Sequence, residues 1–380
     1  MRLPGTPVSS VYLHAPFCAR RCFYCDFAVE VRRVGDLAEW SGAIEREVAL
    51  RAEEGLVLAD RLRTLYVGGG TPSLLGPDAM AAMGSVLGAD RLSDPDLEWT
   101  AEANPESFTR AVAEGWRSAG VTRLSLGVQS FEEEVLGWMG RLHGAAGALA
   151  ALDTARSAGF EEVSVDLIFG LPEGVKREWS ADLDRVLKLG VPHISLYGLT
   201  AEQGTGLGRR VTQGELRMPD DERYRAEYLE AHHRLTDAGY RHYEVSNFAL
   251  PGSESRHNRV YWSGDPWLGL GNGAHSFVPP LRWWNTREWA AYRDALLADR
   301  DPSDGREVSE GASDRLERIW MGLRTAEGLS LREWPNSVEG CIEEWVDRGV
   351  ASRSGRRVRL NAEGWLLLDT LTLEFDRAAG

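Results

Sequence analysis

The run CARRCFYC, residues 18–25, places three of the chain's four cysteines (Cys18, Cys22 and Cys25) within eight residues. The spacing C-x3-C-x2-C holds three thiolates on one short loop. Three thiolates grip three irons of a cubane iron–sulfur cluster, whose usual complement is four. The fourth iron is then open to a ligand that the protein does not supply, and an open position separates a reactive metal site from a closed structural one. Other readings stand beside this one. A disulfide would pair two of the thiols and leave one over. A zinc site would need a fourth ligand, with Asp26 and His14 as candidates, although the spacing is unusual for zinc.

Outward from the loop, βα units alternate. SSVYLHAPF reads as a first strand, apolar at Val11, Tyr12 and Leu13 and ended by Pro16. A helix over DLAEWSGAIEREVALRAEE leads to TLYVGGG (64–70), and a helix near GPDAMAAMGSVLG leads to LEWTAEANP (97–105). FTRAVAEGWRSAG, a helix ending at Gly120, leads to TRLSLGVQSF (122–131). Helices at 144–158 and 178–189 precede EEVSVDLIFGLP and HISLYGL (193–199). The rhythm predicts an α/β fold with a parallel sheet. Six units are too few for a closed eight-fold barrel, so the expectation is a partial (β/α)6 barrel with its chemistry at the C-terminal strand ends. Cys18, Gly69, Glu102, Gln129 and Asp166 are expected there.

Composition restricts the class. The 380 residues suffice for such a barrel plus an appended domain. Four cysteines with no paired framework suggest a reducing compartment, and residues 1–10 lack the apolar stretch of a signal peptide. A cytoplasmic location is expected, with no transmembrane segment; transient membrane association stays open. The formal charge of −15 argues against nucleic acid as a partner. The fourteen tryptophans suit core packing, and their flat surface also suits a flat ligand.

With the continuation YCDF (24–27), the cysteine loop resembles the radical S-adenosylmethionine (SAM) superfamily. Membership implies a 4Fe-4S cluster whose open iron is capped by SAM, and electron transfer that cleaves SAM to a 5′-deoxyadenosyl radical. GGGTPS (68–73) resembles the family's glycine motif, where close backbone approach to a ligand needs glycine. The order YLHAPFC, GGGTPS, ANPES, RLSLGVQSF, GRLH, DLIFGLP, ISLYGLT and YEVSNFA is similar to that in oxygen-independent coproporphyrinogen III dehydrogenase and its relatives, over about residues 8–285. The resemblance implies cofactor-binding roles for Tyr12, Tyr24, Gly69, Gly70, Thr71, Glu102, Gln129, Arg141 and Asp166. Gln129, Arg141 and Asp166 match positions serving a second SAM in the dehydrogenase. A carboxylate is the partner expected for Arg141.

Two features divide the branches. The dehydrogenase has a further cysteine two residues after the third ligand, where this chain has Phe27, and a long arm before the motif, where this chain has 17 residues. HNRVYW (257–262), YCDF and GLGNGAHS (269–276) resemble the HemW-like haem chaperones instead. That resemblance implies haem binding and transfer to an acceptor protein not identifiable from the sequence. Oxidative decarboxylation of coproporphyrinogen III, or radical chemistry on another substrate, is the alternative. His257 is the haem-contacting candidate, since neutral imidazole is a common axial ligand; His275 competes with it. HNRVYW lies on a different segment from the cysteines, which predicts separate haem and cluster sites. His232 and His233, on a charged helix over 219–238, are expected to be solvated.

The expected organisation is a radical SAM core at 1–240, a barrel extension carrying HNRVYW at 241–300, and a small α+β winged-helix-like domain at 301–380. DPSDGREVSEG (301–311) reads as a polar linker, and EGWLLLDTLTLEF as one final helix. Cys341 is expected to pack as a small hydrophobe, and the acidic tail fits a lid or acceptor-docking role better than DNA binding.

Overall fold

The computed structural model describes residues 5–380; of the stretch 1–10 tested for a signal peptide, residues 1–4 lie outside the described part. Strands β1 (Ser10–Ala15), β2 (Thr64–Gly69), β3 (Glu98–Ala103), β4 (Arg123–Gln129), β5 (Glu162–Phe169) and β6 (His193–Gly198) lie side by side in chain order, all parallel. The sheet gains two antiparallel strands beyond β6, β7 (Arg241–Glu244) and β8 (Asn247–Ala249). A parallel β9 (Leu268–Leu270) follows beside β1. The sheet does not close between β7 and β9. This is the partial (β/α)6 barrel that the βα rhythm predicts.

Alternation along each strand sorts core from site. In β5, Val163, Val165 and Leu167 pack into the main hydrophobic core, while Asp166 and Ile168 line a cavity inside the barrel. In β4, Leu124, Leu126 and Val128 go to the core, while Ser125, Gly127 and Gln129 line the same cavity. Each buried Val or Leu contributes on the order of 1.5–3 kcal/mol, so a one-residue slip in register would turn the lumen inside out.

Helices α1 (Leu37–Glu53), α2 (Ala79–Leu87), α3 (Arg110–Ala119), α4 (Glu133–Met139), α5 (Gly144–Ser157) and α6 (Trp179–Leu189) occupy the crossovers. The seven-residue α4 is absent from the sequence reading. Helix α3 is capped by the Thr109 hydroxyl, which accepts from Val112 N–H, and ends at Gly120 in the left-handed region.

After α7 (Gly206–Thr212), helix α8 (Asp221–Asp237) carries His232 and His233. His233 is exposed, but His232 is half-buried and its Nδ1 hydrogen-bonds His242 Nδ1 at 2.9 Å. Expected solvation of His232 is therefore corrected: α8 packs against β7, and His242 lies on that strand.

HNRVYW opens α9 (Arg256–Ser263), capped by Ser255, whose hydroxyl accepts from Asn258 N–H. A second sheet follows, β10 (His275–Val278), β11 (Leu281–Asn285) and β12 (Ser303–Val308), with α10 (Trp289–Leu297) between the last two. Strand β12 corrects the linker reading of 301–311. Its polarity belongs to an edge strand whose side chains pair with a charged network, not to a loop. In that network the fully buried Arg51 donates to Glu47 (3.2 Å), Glu54 (2.8 Å), Asp301 (3.1 Å), Asn285 (3.1 Å) and Ser303 (3.0 Å). Glu47 in turn accepts from Gly271 N–H at 2.9 Å, from Asn285 at 2.7 Å and from the Tyr292 hydroxyl at 2.5 Å. Helix α1 is thus locked to the segment that carries β9 to β12.

The C-terminal unit has its own core, Ile319 to Phe375. Helices α11 (Gly311–Leu323) and α12 (Glu339–Asp347) precede the β14 (Ala351–Ser354) and β15 (Arg357–Leu360) hairpin, which β13 (Leu329–Ser330) joins. The expected final helix is two, α13 (Ala362–Trp365) and α14 (Leu368–Ala379), broken at Leu366–Leu367 so that both Trp365 and Leu368 reach the core. Cys341 is partly buried against this core, and burial raises its thiol pKa to about 11. Among the described residues, no helix is long and apolar enough to cross a membrane.

Candidate functional site

Cys18, Cys22 and Cys25 line one side of the barrel cavity, of about 380 Å³, together with Tyr24, Gly69, Gly70, Glu102, Gln129, Arg141 and Asp166. Ten of the expected site residues therefore meet in one space. Burial raises the Cys18 thiol pKa to about 11, against the Thr71 hydroxyl 3.4 Å from its sulfur. Thr71 is buried under the loop and accepts from Asn104 Nδ2 at 3.0 Å. The zinc alternative loses its histidine: His14 Nε2 donates to the Ala28 carbonyl at 2.9 Å, and Nδ1 accepts from the Tyr12 hydroxyl at 3.0 Å. No three His, Cys, Asp or Glu side chains among the described residues converge on a single ion position.

The glycine turn is a cradle that no side chain can share. Gly69 has φ +103°, and a Cβ there would stand 2.3 Å from the His14 ring. At Gly70 a Cβ would stand 2.7 Å from the Ala15 carbonyl and 2.8 Å from that of Phe17, both of them backbone that cannot yield. Gly70 N–H and Thr71 N–H already donate to those two carbonyls, which ties the turn to the start of the cysteine loop.

Glu102 is held from both sides. Its Oε1 accepts from the Tyr66 hydroxyl at 2.7 Å and its Oε2 from Gly69 N–H at 3.0 Å. Burial, with help from the nearby Asp166 charge, raises its pKa to about 7 against the lowering effect of those two bonds. Asp166 lies mid-strand, three residues before the end of β5, so it sits deeper in the lumen than the strand-end placement expected of it. Ser125 donates to its two oxygens at 3.0 and 3.2 Å, and burial raises its pKa to about 6.

Two polar groups are left for a ligand. Gln129 has φ +70°, rare for a residue with a Cβ, and sits where the β4–β5 register shifts. Its buried Oε1 has no partner among the described residues. Arg141 commits Nη2 to the Gly127 carbonyl (2.6 Å) and Asn104 Oδ1 (2.8 Å), and its buried Nε has no partner. A bidentate grip on a free carboxylate is therefore not preformed. Orphaned buried polar groups beside a glycine cradle and three thiols fit a polar cofactor held next to a cluster.

Tyr12 lies elsewhere, on the wall of a second cavity of about 520 Å³. His257 lines neither cavity. It is fully buried, with Nδ1 bonded to Thr64 Oγ1 (2.8 Å) and Nε2 to the Tyr261 hydroxyl (2.9 Å), and burial pushes its pKa down to about 3. Asp26, Phe27, Gly69 and Glu102 line both cavities. The cysteines and the HNRVYW region, expected at separate sites, line two adjoining cavities: β9 pairs directly with β1, whose end launches the cysteine loop. Tyr66, Asn104 and Ser125 were missed as site residues. Their signal was present, since Tyr66 and Ser125 share the lumen face with Gly68 and Gly127.

Residues 12–186 match the Radical SAM superfamily. In structure the chain is similar to the coproporphyrinogen III oxidase HemN of Escherichia coli, with a TM-score of 0.82 and 22% identity over 98% of this chain and 91% of that one. That likeness establishes the fold. Barrel, cysteine loop and glycine turn together define a radical SAM protein. In sequence, the chain is 38% identical over 374 residues to the heme chaperone HemW of Mycobacterium tuberculosis, covering 97% of this chain and 95% of that one. It is 31% identical to the heme chaperone HemW of Bacillus subtilis (95% and 97% covered). Identity is 35% to the mitochondrial radical S-adenosyl methionine domain-containing protein 1 of Bos taurus (97% and 88% covered). The chain belongs to the HemW family of radical SAM haem chaperones.

Proposed function

We propose that this protein binds haem as cargo, holds a 4Fe-4S cluster capped by SAM, and passes the haem to an acceptor protein. The observation that carries the reading is the convergence of three thiols, the glycine cradle and Glu102 on one cavity, with a second, aromatic-walled cavity sharing its wall. Cys18, Cys22 and Cys25 would hold the cluster. Gly69, Gly70 and Glu102 would bind the cationic end of SAM, with Gln129 and Asp166 facing the remainder and Arg141 and Thr71 bracing the cysteine loop. The cluster supplies one-electron chemistry when bound; the protein's part is to orient SAM and exclude water.

Helix α11 contributes Glu317 and Met321 to the second cavity, which supports a lid role for the C-terminal unit. Phe27, exposed and on the wall of both cavities, stands where the dehydrogenase branch has its extra cysteine. The test is anaerobic reconstitution with iron and sulfide, then haem titration and a coproporphyrinogen III assay on the same sample. Stoichiometric haem binding without conversion of coproporphyrinogen III supports the reading, and formation of protoporphyrinogen refutes it.

A further inference from the structure

The second cavity carries chemistry that the cluster and SAM do not use. At about 520 Å³ it lies within the ~300–1,000 Å³ typical of cofactor pockets. Tyr261, Trp262 and Trp267 give it aromatic walls, Arg282 and Arg287 give it two cations beside the carboxylates of Asp26, Glu102 and Glu317, and His275 opens onto it. A flat apolar ring with carboxylates at one edge matches that distribution.

We propose that the haem seats in this second cavity with the His275 imidazole as its axial ligand and Arg282 and Arg287 facing its carboxylates. This rests on haem being the cargo.

Five observations support it. His275 is exposed at the start of β10, and neither ring nitrogen has a hydrogen-bond partner among the described residues. Its ring stacks on Trp284, the cross-strand partner, with centroids 5.8 Å apart and planes 24° apart, which fixes its direction without occupying a nitrogen. By contrast, both nitrogens of His257 are engaged and the residue is wholly enclosed, so ligation through either nitrogen would break the hydrogen bond made there and require the enclosing residues to move. The buried indole N–H of Trp262, on the cavity wall, has no acceptor among the described residues. Met321 adds a thioether to the same wall, a second donor of the kind that binds haem iron.

His257 then becomes a positioning residue. Its bond to Tyr261 holds one aromatic wall, and its stacking on Tyr66 (centroids 5.1 Å apart) links that wall to the residue that grips Glu102. The arginines are partnered meanwhile: Arg287 with Asp26 at 3.3 Å, Arg282 with Glu317 and Glu307. Both groups of the Arg287–Asp26 pair are more than half exposed, so it contributes little and a carboxylate can replace it. Asp26 follows Cys25 directly, so haem that takes Arg287 would release a contact of the cysteine loop.

The experiment is ferric haem titration of the full chain, followed by its Soret band and electron paramagnetic resonance. Wild type should bind haem with a nitrogen-ligated spectrum, and labelled histidine should show coupling to the iron. His275→Ala should shift the band and weaken binding by about tenfold or more. Added imidazole should restore the wild-type spectrum. His257→Ala should keep the band position and lose affinity only. An unchanged spectrum in His275→Ala, no rescue by imidazole, or a ligand shift in His257→Ala instead, overturns the assignment. If His275→Ala fails to fold, His275→Gln and the wild-type coupling decide it. Absence of haem binding by the wild type would refute the function proposed above, a result distinct from all of these.

Discussion

Glu102→Gln isolates the charge proposed to face SAM. The substitution keeps the shape and an oxygen for the Tyr66 hydroxyl or for Gly69 N–H, and removes only the ionised form. With a pKa near 7, the wild-type carboxyl is ionised in about nine molecules of ten at pH 8 and about one in ten at pH 6. A cation binds the carboxylate form, so its arrival releases a proton below pH 7, and the Glu102 contribution is present above pH 7 and lost as pH falls through it. A hydrogen bond to a charged group is worth roughly 1.5–3 kcal/mol, so the variant should bind SAM about 10- to 150-fold more weakly at pH 8. At pH 6 the gap should shrink by about tenfold. The assay is a SAM titration of the reduced, reconstituted protein, read from the electron paramagnetic resonance of the cluster. The amino group of SAM titrates in the same range, but equally for both proteins, so the ratio of their affinities isolates Glu102. A ratio that stays constant between pH 6 and pH 8 would refute both the raised pKa and the role given to this carboxylate.

Further outcomes are expected of the same reconstituted material. Cys18→Ala, Cys22→Ala or Cys25→Ala should each abolish the broad visible absorbance of the cluster, and Cys341→Ala should retain it; loss with Cys341→Ala would break the assignment of the triad. Gly70→Ala should fold but take up little iron and sulfide, because the added carbon meets the Ala15 and Phe17 carbonyls that anchor the cysteine loop; normal uptake would show that the loop can move. Glu47→Ala should lower stability by about 3–5 kcal/mol in chemical denaturation, since it takes the one fully buried carboxylate from Arg51 and leaves Gly271 N–H and the Tyr292 hydroxyl without their acceptor; a loss below ~1 kcal/mol would mean that water enters the network.

What was legible in the sequence follows from what is local. The six parallel strands and the Gly120 helix end were readable because alternation and a glycine stop act within a few residues. The cysteines, the glycine turn and Glu102 were legible for a related reason: each sits at or just past a strand end, and parallel strands bring their ends together whatever lies between. Asp166 was selected on its cost of burial, and its depth in the lumen depends on the β5–β6 register, which sequence does not state. The edge strand β12 was hidden because its stabilising partners, Arg51 and Glu54, lie some 250 residues upstream. His232 was misjudged for the same reason, its partner His242 arriving from the next strand.

The relation between the two cavities was the least visible feature, and it bears most on how the molecule works. HNRVYW and the cysteine loop are separated by more than 230 residues in sequence. They meet because β9 closes beside β1, and because Glu47 on α1 accepts from Gly271 N–H at the end of that strand. The wall between the cavities is correspondingly thin in chemical terms. Glu102 reaches the glycine turn with one oxygen and Tyr66 with the other, and the Tyr66 ring stacks on His257, whose Nε2 holds Tyr261. Hydrogen bonds and one ring stack therefore make a continuous path from the glycine turn to the aromatic side. A protein that only needed to hold haem would have no reason to build its pocket against Glu102, the carboxylate proposed above to bind SAM. With SAM and haem seated as proposed above, that shared path would give the radical SAM barrel a physical use in a haem chaperone: the state of one cavity would be felt at the wall of the other.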